Sequence, residues 1–550
     1  MKKIFAILLA MIMIFTLAAC GTKEADDTSA SAPATSDSSS SSSSSTDSSP
    51  APTQNADQAP PPPPSAPPQG NAGQKYGGTV RIVCTAEGAG PIGVPWEVFG
   101  VDTALLKACM EPIASTNAQG ELVLRLAERY EIDYDDLTIT WWLKPGIKFH
   151  DGSELTADVY VWNAEHNLEF YPNAALDHYE VVDTYCFRIH LNYFQNASLT
   201  GVATLSLISK ESYEKNGVEW ARDNPVGTGP FKLDEYIPGS HARFVKYDDY
   251  WEEGKPFLDG MDFVFIRDVM TQNVALQATG DQSIDILNTT SGEQIATLRD
   301  LGFIGDALPI GPISLAPNSL DADSPFAKLE VRQAVSYALD RNAIMAARGF
   351  GVMTPATQWV SEAFPAGRLD DSYNFEYNPD KARELLAEAG YPNGFSTTLY
   401  AQPALADRDS VVAMQAMLAA VGINAEVEFP DSGGYSAYRS NGWDGLLVQH
   451  TRAFADMSSS FWFYFSDEYN LLSRMWFGPD EMQDLIAESR RTVENGALLK
   501  EMHKIVLENQ LVIPVYNLMD GWVYNPEVKD GNHLYWGGTM FMPGDIWLDN

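Results

Sequence analysis

The chain has 550 residues, a formal net charge of −38 at pH 7 and 11% aromatic residues. That length suits two or three lobes rather than one small domain, and the acidity argues against nucleic acid or anionic lipid as partners, because phosphate recognition needs a basic footprint. Cys84, Cys109 and Cys186 lack metal or redox spacing, and the histidines at 150, 166, 178, 190, 241, 450, 503 and 533 are scattered, so free buried thiols are expected and no metal or other cofactor.

The first residues, Met1-Lys2-Lys3, lead into an apolar run from Ile4 to Ala19 that closes on Leu17-Ala18-Ala19-Cys20-Gly21. This has the three parts of a secretory signal and is too short for a confident membrane span. It resembles a bacterial lipobox, which implies removal of residues 1–19 and acylation of Cys20 as a lipid anchor. From Thr22 to Lys75 the chain is mostly Ser, Ala, Pro, Asp, Gln and Gly, with Ser38–Ser45 unbroken and prolines at 60–64. Such a segment buries too little to offset its ordering entropy, so residues 20–75 are expected to form a tether; a flexible coil of about 54 residues spans about 40 Å.

Regular patterning begins near Tyr76. Thr138–Leu143 alternates as a strand, Pro145-Gly146 turns it, Ile147–Phe149 returns, and Asp151-Gly152 turns again. Thr156 is placed to cap a helix running to about Leu168, ahead of Pro172. Strand-like runs recur at 187–191, 231–233, 242–245 and 261–266, so the first half reads as sheet-rich α+β. Val331, Val335, Ala338 and Leu339 share one helical face. Asn378-Pro379 starts a second helix with Ala382, Leu385, Leu386 and Ala389 inside, and Gly390 stops it. Strand 397–401, a helix through Val411, Met414, Leu418 and Val421, and strand 423–429 make a β-α-β unit with parallel strands. A helical stretch from Glu481 to Glu508, broken near Gly496, precedes a short apolar strand at Val512–Tyr516.

Five segments carry a resemblance: Leu126–Tyr130, Leu143–Gly152 (Leu-Lys-Pro-Gly-Ile-Lys-Phe-His-Asp-Gly), Asn224–Leu233, Val331–Arg341 and Tyr377–Gly390. Together they resemble the peptide/nickel/opine class (family 5) of extracellular solute-binding proteins of ABC importers. The resemblance implies a mixed α/β, two-lobed periplasmic-binding-protein fold (type II, cluster C) with an extra subdomain. Lobe I would hold 76–113, 224–318 and 512–550, the subdomain 114–223, and lobe II 319–511. It implies a monomer that takes up a small solute, an oligopeptide first and an oligosaccharide second, by hinge closure and passes it to a membrane permease. Arg332 and Arg341 are expected to form structural ion pairs.

The same comparison marks cleft candidates. Trp96 lies in the Gly/Pro loop after the first strand, Trp359 follows the loop after the Val331 helix, and Asn318 sits where the chain should cross between lobes. His450, Arg452 and Asp456 follow the strand 443–450; relatives that bind peptides hold the peptide amine with an aspartate here, whose position falls on Ala453 in this chain, with Asp456 as a second acidic position. The plainer readings are core aromatics for the tryptophans, a surface ion pair for Arg452 and a structural histidine at 450. A ligand sensor shares this fold. A surface glycoside hydrolase would need a carboxylate pair across a sugar cleft, which 74 acidic residues make uninformative. An adhesin would tolerate the tether equally well.

Overall fold

The structure is a computed structural model that describes residues 73–84, 91–98, 103–116, 122–280, 283–362, 364–402, 406–450, 456–467, 478–492, 495–530 and 542–549. The lipobox with Cys20, most of the tether and Arg452 lie outside the described residues.

β1 (Thr79–Cys84) is a buried apolar run, followed by α1 (Thr103–Cys109) and the hairpin of β2 (Ala114–Thr116) and β3 (Leu122–Leu124). β4 (Ala127–Asp133), β5 (Thr138–Leu143), α2 (Ala157–Phe170), β6 (Leu176–Asp183) and β7 (Cys186–Leu191) form a separate antiparallel sheet, ordered β4-β5-β7-β6, with α2 packed on it. The expected return at Ile147–Phe149 is not a strand. Lys148 makes only a single bridge to Glu154, and β5 pairs instead with β4 and β7. The segment is drawn away by tertiary contacts: His150 N donates to Gly227 O (2.9 Å) and Asp151 accepts from the Ser209 and Ser212 hydroxyls.

α3 (Asn196–Ala203), α4 (Lys210–Asn216) and α5 (Val218–Asp223) lead back to the main sheet, where β8 (Phe231–Ile237), β9 (His241–Lys246), β10 (Gly260–Phe265), α6 (Val269–Gln277), β11 (Ile286–Thr289), α7 (Gly292–Asp300) and β12 (Ile304–Pro317) follow. The Asn224–Leu233 motif works by close approach. A Cβ on Gly227 would stand 2.0 Å from the Cys109 carbonyl oxygen, and one on Gly229 2.6 Å from its carbonyl carbon, so only glycine lets this loop lie against the end of α1. Beside it, buried Glu111 accepts from Arg125 (2.8 Å), Tyr250 (2.8 Å), Trp251 (2.8 Å) and Thr228 (3.3 Å), tying four segments together.

The second half runs α8 (Leu329–Ala338), α9 (Arg341–Arg348), β13 (Thr354–Pro355), α10 (Pro379–Glu388), β14 (Phe395–Tyr400), α11 (Arg408–Ala420), β15 (Ile423–Glu428), α12 (Ser432–Asn441), β16 (Leu446–His450), α13 (Met457–Phe465), α14 (Asp480–Ser489), α15 (Gly496–Glu508) and β17 (Ile513–Tyr524). α10 follows its sequence signals: Asn378 accepts from Lys381 N, Pro379 opens the helix, and Gly390 closes it at φ +91°. β14 pairs in parallel with both β15 and β16. The expected C-terminal strand is longer than five residues, because pairing with β12 carries it to Tyr524.

Eleven strands form the main sheet, ordered β15-β14-β16-β12-β17-β11-β1-β10-β9-β8, with β13 on β17. Separate apolar clusters cover its faces: one under α8–α11, one under α13–α15, one against β1 and β8–β10, and one against α7.

Arg332 and Arg341 correct an expectation. Neither makes an ion pair among the described residues. Both are buried and donate to carbonyls: Arg332 to Asn509, Phe326 and Ala327, Arg341 to Pro514, Ser336, Leu339 and Phe375. Burial lowers both guanidinium pKa values to about 10, so both stay charged at neutral pH, held by backbone dipoles. Cys84, Cys109 and Cys186 are buried.

Candidate functional site

β12 and β17 are the strands that link the two halves of the main sheet. β17 pairs with β11 through Gly521–Tyr524, β12 pairs with β16 through Ile313–Pro317, and the two pair with each other along their lengths. The register between them slips at Pro309/Gly311 and at Ile313/Ser314. Such bulges bend and twist a ladder locally, so the connection is thinnest and most deformable there.

Away from the sheet, the halves meet again at one polar contact. Asn196, first residue of α3, donates through its amide to Ser489 O (3.1 Å) and Thr492 O (2.7 Å), and its backbone N donates to Arg490 O (2.7 Å). Arg490 Nη2 in turn donates to Gln195 Oε1 (2.7 Å), and its guanidinium lies 4.5 Å from the Trp462 ring centroid. The donors are those of a helix N-terminus and the acceptors are carbonyls at and just past the end of α14, groups that a helix leaves without internal partners.

On one face of the linking strands the side chains are polar where the surroundings are apolar. Ala316 and Leu447 pack in the cluster that holds Trp359, Tyr435, Trp443 and Phe461. Two residues along each strand, on the same face, Ser314 and Gln449 stand directly opposite each other. They are 0% and 3% exposed. Neither the Ser314 hydroxyl nor Gln449 Oε1 has a hydrogen-bond partner among the described residues, and the same holds for Trp359 Nε1.

The expected cleft residues do not gather in one place. Trp96 is 1% exposed and packs against Trp162, His166 and Tyr213, so it fills a core between α2, α4 and the main sheet instead of walling a cleft. Trp359, 4% exposed, lies edge-on to Phe461, Tyr464 and Phe465; its ring is core, and only its N–H bears on a site. Asn318 holds the fold together locally. Its amide donates to Trp443 O (3.1 Å) and its backbone N to Gly445 O (2.9 Å), fastening the end of β12 to the entry of β16. Asp456, the second acidic position, caps α13, accepting from the backbone N–H and hydroxyl groups of Ser458 and Ser459 at 2.6–3.2 Å; Ala453 lies outside the described residues. His450 ends β16 opposite Ile313, on the face away from Gln449. The structure therefore brings Trp359 and the strand before His450 together and leaves Trp96 apart. Sequence reasoning misses Ser314 and Gln449, though each follows an apolar stretch of its strand as a buried polar residue.

Two open hollows, about 500 and 600 Å³, are lined mainly by polar and charged side chains of β4, β5 and β7 and of α2 and α4; neither includes a residue of β12, β16 or β17.

A sequence profile of the bacterial extracellular solute-binding proteins, family 5 (middle part), matches residues 121–470. The chain belongs to this family. Glutathione-binding protein GsiB of Escherichia coli O1:K1, a similar curated protein, is 30% identical over 438 residues, covering 75% of this chain and 84% of GsiB. Among solved structures, HbpA2 from Haemophilus parasuis superposes with a TM-score of 0.75 at 23% identity, covering 86% of this chain and 100% of HbpA2. The oligopeptide-binding protein AppA from Bacillus subtilis, in complex with a nonapeptide, gives 0.65 at 21% identity, covering 87% of this chain and 100% of AppA. At those identities the two structures speak for the two-lobed fold alone. Family 5 solute-binding proteins are the substrate-binding components of ABC transporters, work outside the cytoplasm and are not enzymes.

Proposed function

We propose that this family 5 protein captures a short peptide between its two halves and releases it to an ABC permease. The observation that carries this reading is the pairing of a bulged two-strand link, β12 with β17, and a remote polar contact between α3 and the end of α14. That is the arrangement of a hinge with a closing edge. The bending point is assigned to Pro309–Gly311 opposite Leu518 and Met519, with residues 76–113, 224–318 and 512–550 as one lobe, 114–223 as its subdomain and 319–511 as the other. Similar proteins that bind glutathione or a nonapeptide support the solute class. The core positions of Trp96 and Trp359 leave neither ring open as a stacking platform for a sugar, which weighs against the oligosaccharide reading.

The mature chain is proposed to begin at Cys20, lipidated on the outer face of the cytoplasmic membrane, and to act as a monomer on its tether. A thermal-shift screen of the mature chain against pooled di- to hexapeptides, oligosaccharides and metal chelates tests the solute class. A peptide at a hundredfold excess over its dissociation constant is expected to stabilise by about 2.7 kcal/mol and to be recovered intact by mass spectrometry. Stabilisation by sugars alone would refute the peptide reading.

A further inference from the structure

Ser314 and Gln449 stand opposite each other on a buried sheet face, and Trp359 belongs to the apolar cluster on that face; the Ser314 hydroxyl, Gln449 Oε1 and Trp359 Nε1 have no partner among the described residues. Their neighbours in the same cluster are satisfied: Tyr435 donates to Val448 O (2.8 Å) and Trp443 Nε1 to Ala316 O (3.1 Å). A buried polar group without a partner costs about 1–3 kcal/mol, and three together are a standing cost to the empty protein that the fold does not recover.

We infer that this face is a specificity subsite for an uncharged polar group of the bound solute, a carboxamide or hydroxyl side chain. The inference rests on the peptide-binding reading above. The Trp359 N–H donates, the Gln449 carbonyl accepts and the Ser314 hydroxyl does either, so a carboxamide or hydroxyl meets all three. The residues that wall the face, Trp359, Tyr435, Trp443 and Phe461, carry no charge. An ammonium buried there would lose its hydration without a counter-charge beside it, at a cost well above that of a neutral amide, and a carboxylate would have only the Arg439 charge that reaches Tyr435. A purely apolar group would leave the three polar atoms unpaired, which sites of this kind reject strongly.

The test is calorimetry with tetra-alanine peptides carrying Gln, Ser, Leu, Glu or Lys at each position in turn, against the mature chain and its Gln449→Leu and Ser314→Ala variants. At one position the native protein is expected to prefer Gln or Ser over Leu by at least about tenfold. In Gln449→Leu that preference should fall below about threefold while the Leu peptide still binds. Arg439, whose charge reaches Tyr435, makes the Glu peptide the discriminating control. A preference for Glu or Lys there, or unchanged discrimination in Gln449→Leu, overturns the subsite. Binding of no peptide at all would instead refute the peptide reading, and the solute-free melting temperature then decides. Gln449→Leu is expected to raise it by removing an unsatisfied amide; a fall would show that the amide serves the fold, through bound water, and would overturn the subsite as well.

Discussion

Replacing Asn196 by alanine tests the closing edge directly. The side-chain amide makes two hydrogen bonds, to Ser489 O and Thr492 O. Ser489 O keeps a second donor, Asn495 Nδ2 at 2.9 Å, so the loss falls mainly on Thr492 O. At about 0.5–1.5 kcal/mol net per bond, the contact weakens by about 1 kcal/mol if one bond counts and about 3 kcal/mol if both do. That shifts a closed–open equilibrium about 5- to 150-fold, and the low end is expected here. A solute that binds the closed form loses the same factor in affinity when the free protein is mostly open. Dissociation constants by calorimetry, with small-angle scattering on the same samples, measure both effects. The variant should bind about fivefold more weakly and need correspondingly more solute to compact, with an unchanged melting temperature for each half. Gln195→Ala, which removes the acceptor for Arg490, should act in the same direction. Native affinity and native dimensions in both variants would show that this contact does not report closure, and the hinge assignment would fall with it.

Burial lowers the pKa of His150 to about 4 and of His503 to about 3. The unfolded chain binds these protons at a higher pH than the folded one, so their contribution is complete above about pH 6.5 and is lost as pH falls toward 4, by up to about 1.4 kcal/mol per pH unit for each histidine. Urea midpoints between about pH 7.5 and 4.5 should show this slope, and His503→Gln should flatten it. Glu111→Ala leaves Trp251 Nε1 without its acceptor while Arg125 and Tyr250 keep Glu252 (2.7 and 3.3 Å), and is expected to destabilise by about 1–3 kcal/mol in urea unfolding. Trp359→Ala should cost about 3–5 kcal/mol for its lost packing, whereas Trp359→Phe should keep most of the stability and change solute affinity through the missing N–H. Cys20→Ala should move the protein from the membrane fraction to the soluble fraction.

What the sequence disclosed follows the range of the interactions involved. α10 was legible to the residue because its cap, first-turn proline and left-handed stop all lie within one helix, and the β14-α11-β15 unit because its periodicity is local. β12 was not. Pro309, Gly311, Pro312 and Pro317 read as loop, and the segment is a strand only because β17 and β16 supply its pairing from far along the chain. Arg332 and Arg341 looked like partners for carboxylates because their real acceptors, the carbonyls of Asn509 and Pro514, have no signature in a sequence. Asp456 is the instructive case. Asp-Met-Ser-Ser at the head of an apolar helix is an N-cap pattern by elementary rules, and that local reading competes with a family-derived role as an amine anchor. The structure commits the carboxylate to the cap. Ser314 and Gln449 show the reverse. Each is a polar residue in a part of its strand that is buried on both faces, and their pairing appears only once the register of β12 with β16 is known. A polar residue that a strand's own pattern does not explain therefore marks either a structural partner elsewhere or a ligand. Here Ser314 and Gln449 face each other with no hydrogen bond between them, although a hydroxyl and an amide carbonyl are complementary, and a polar group of the solute between them is the account proposed above.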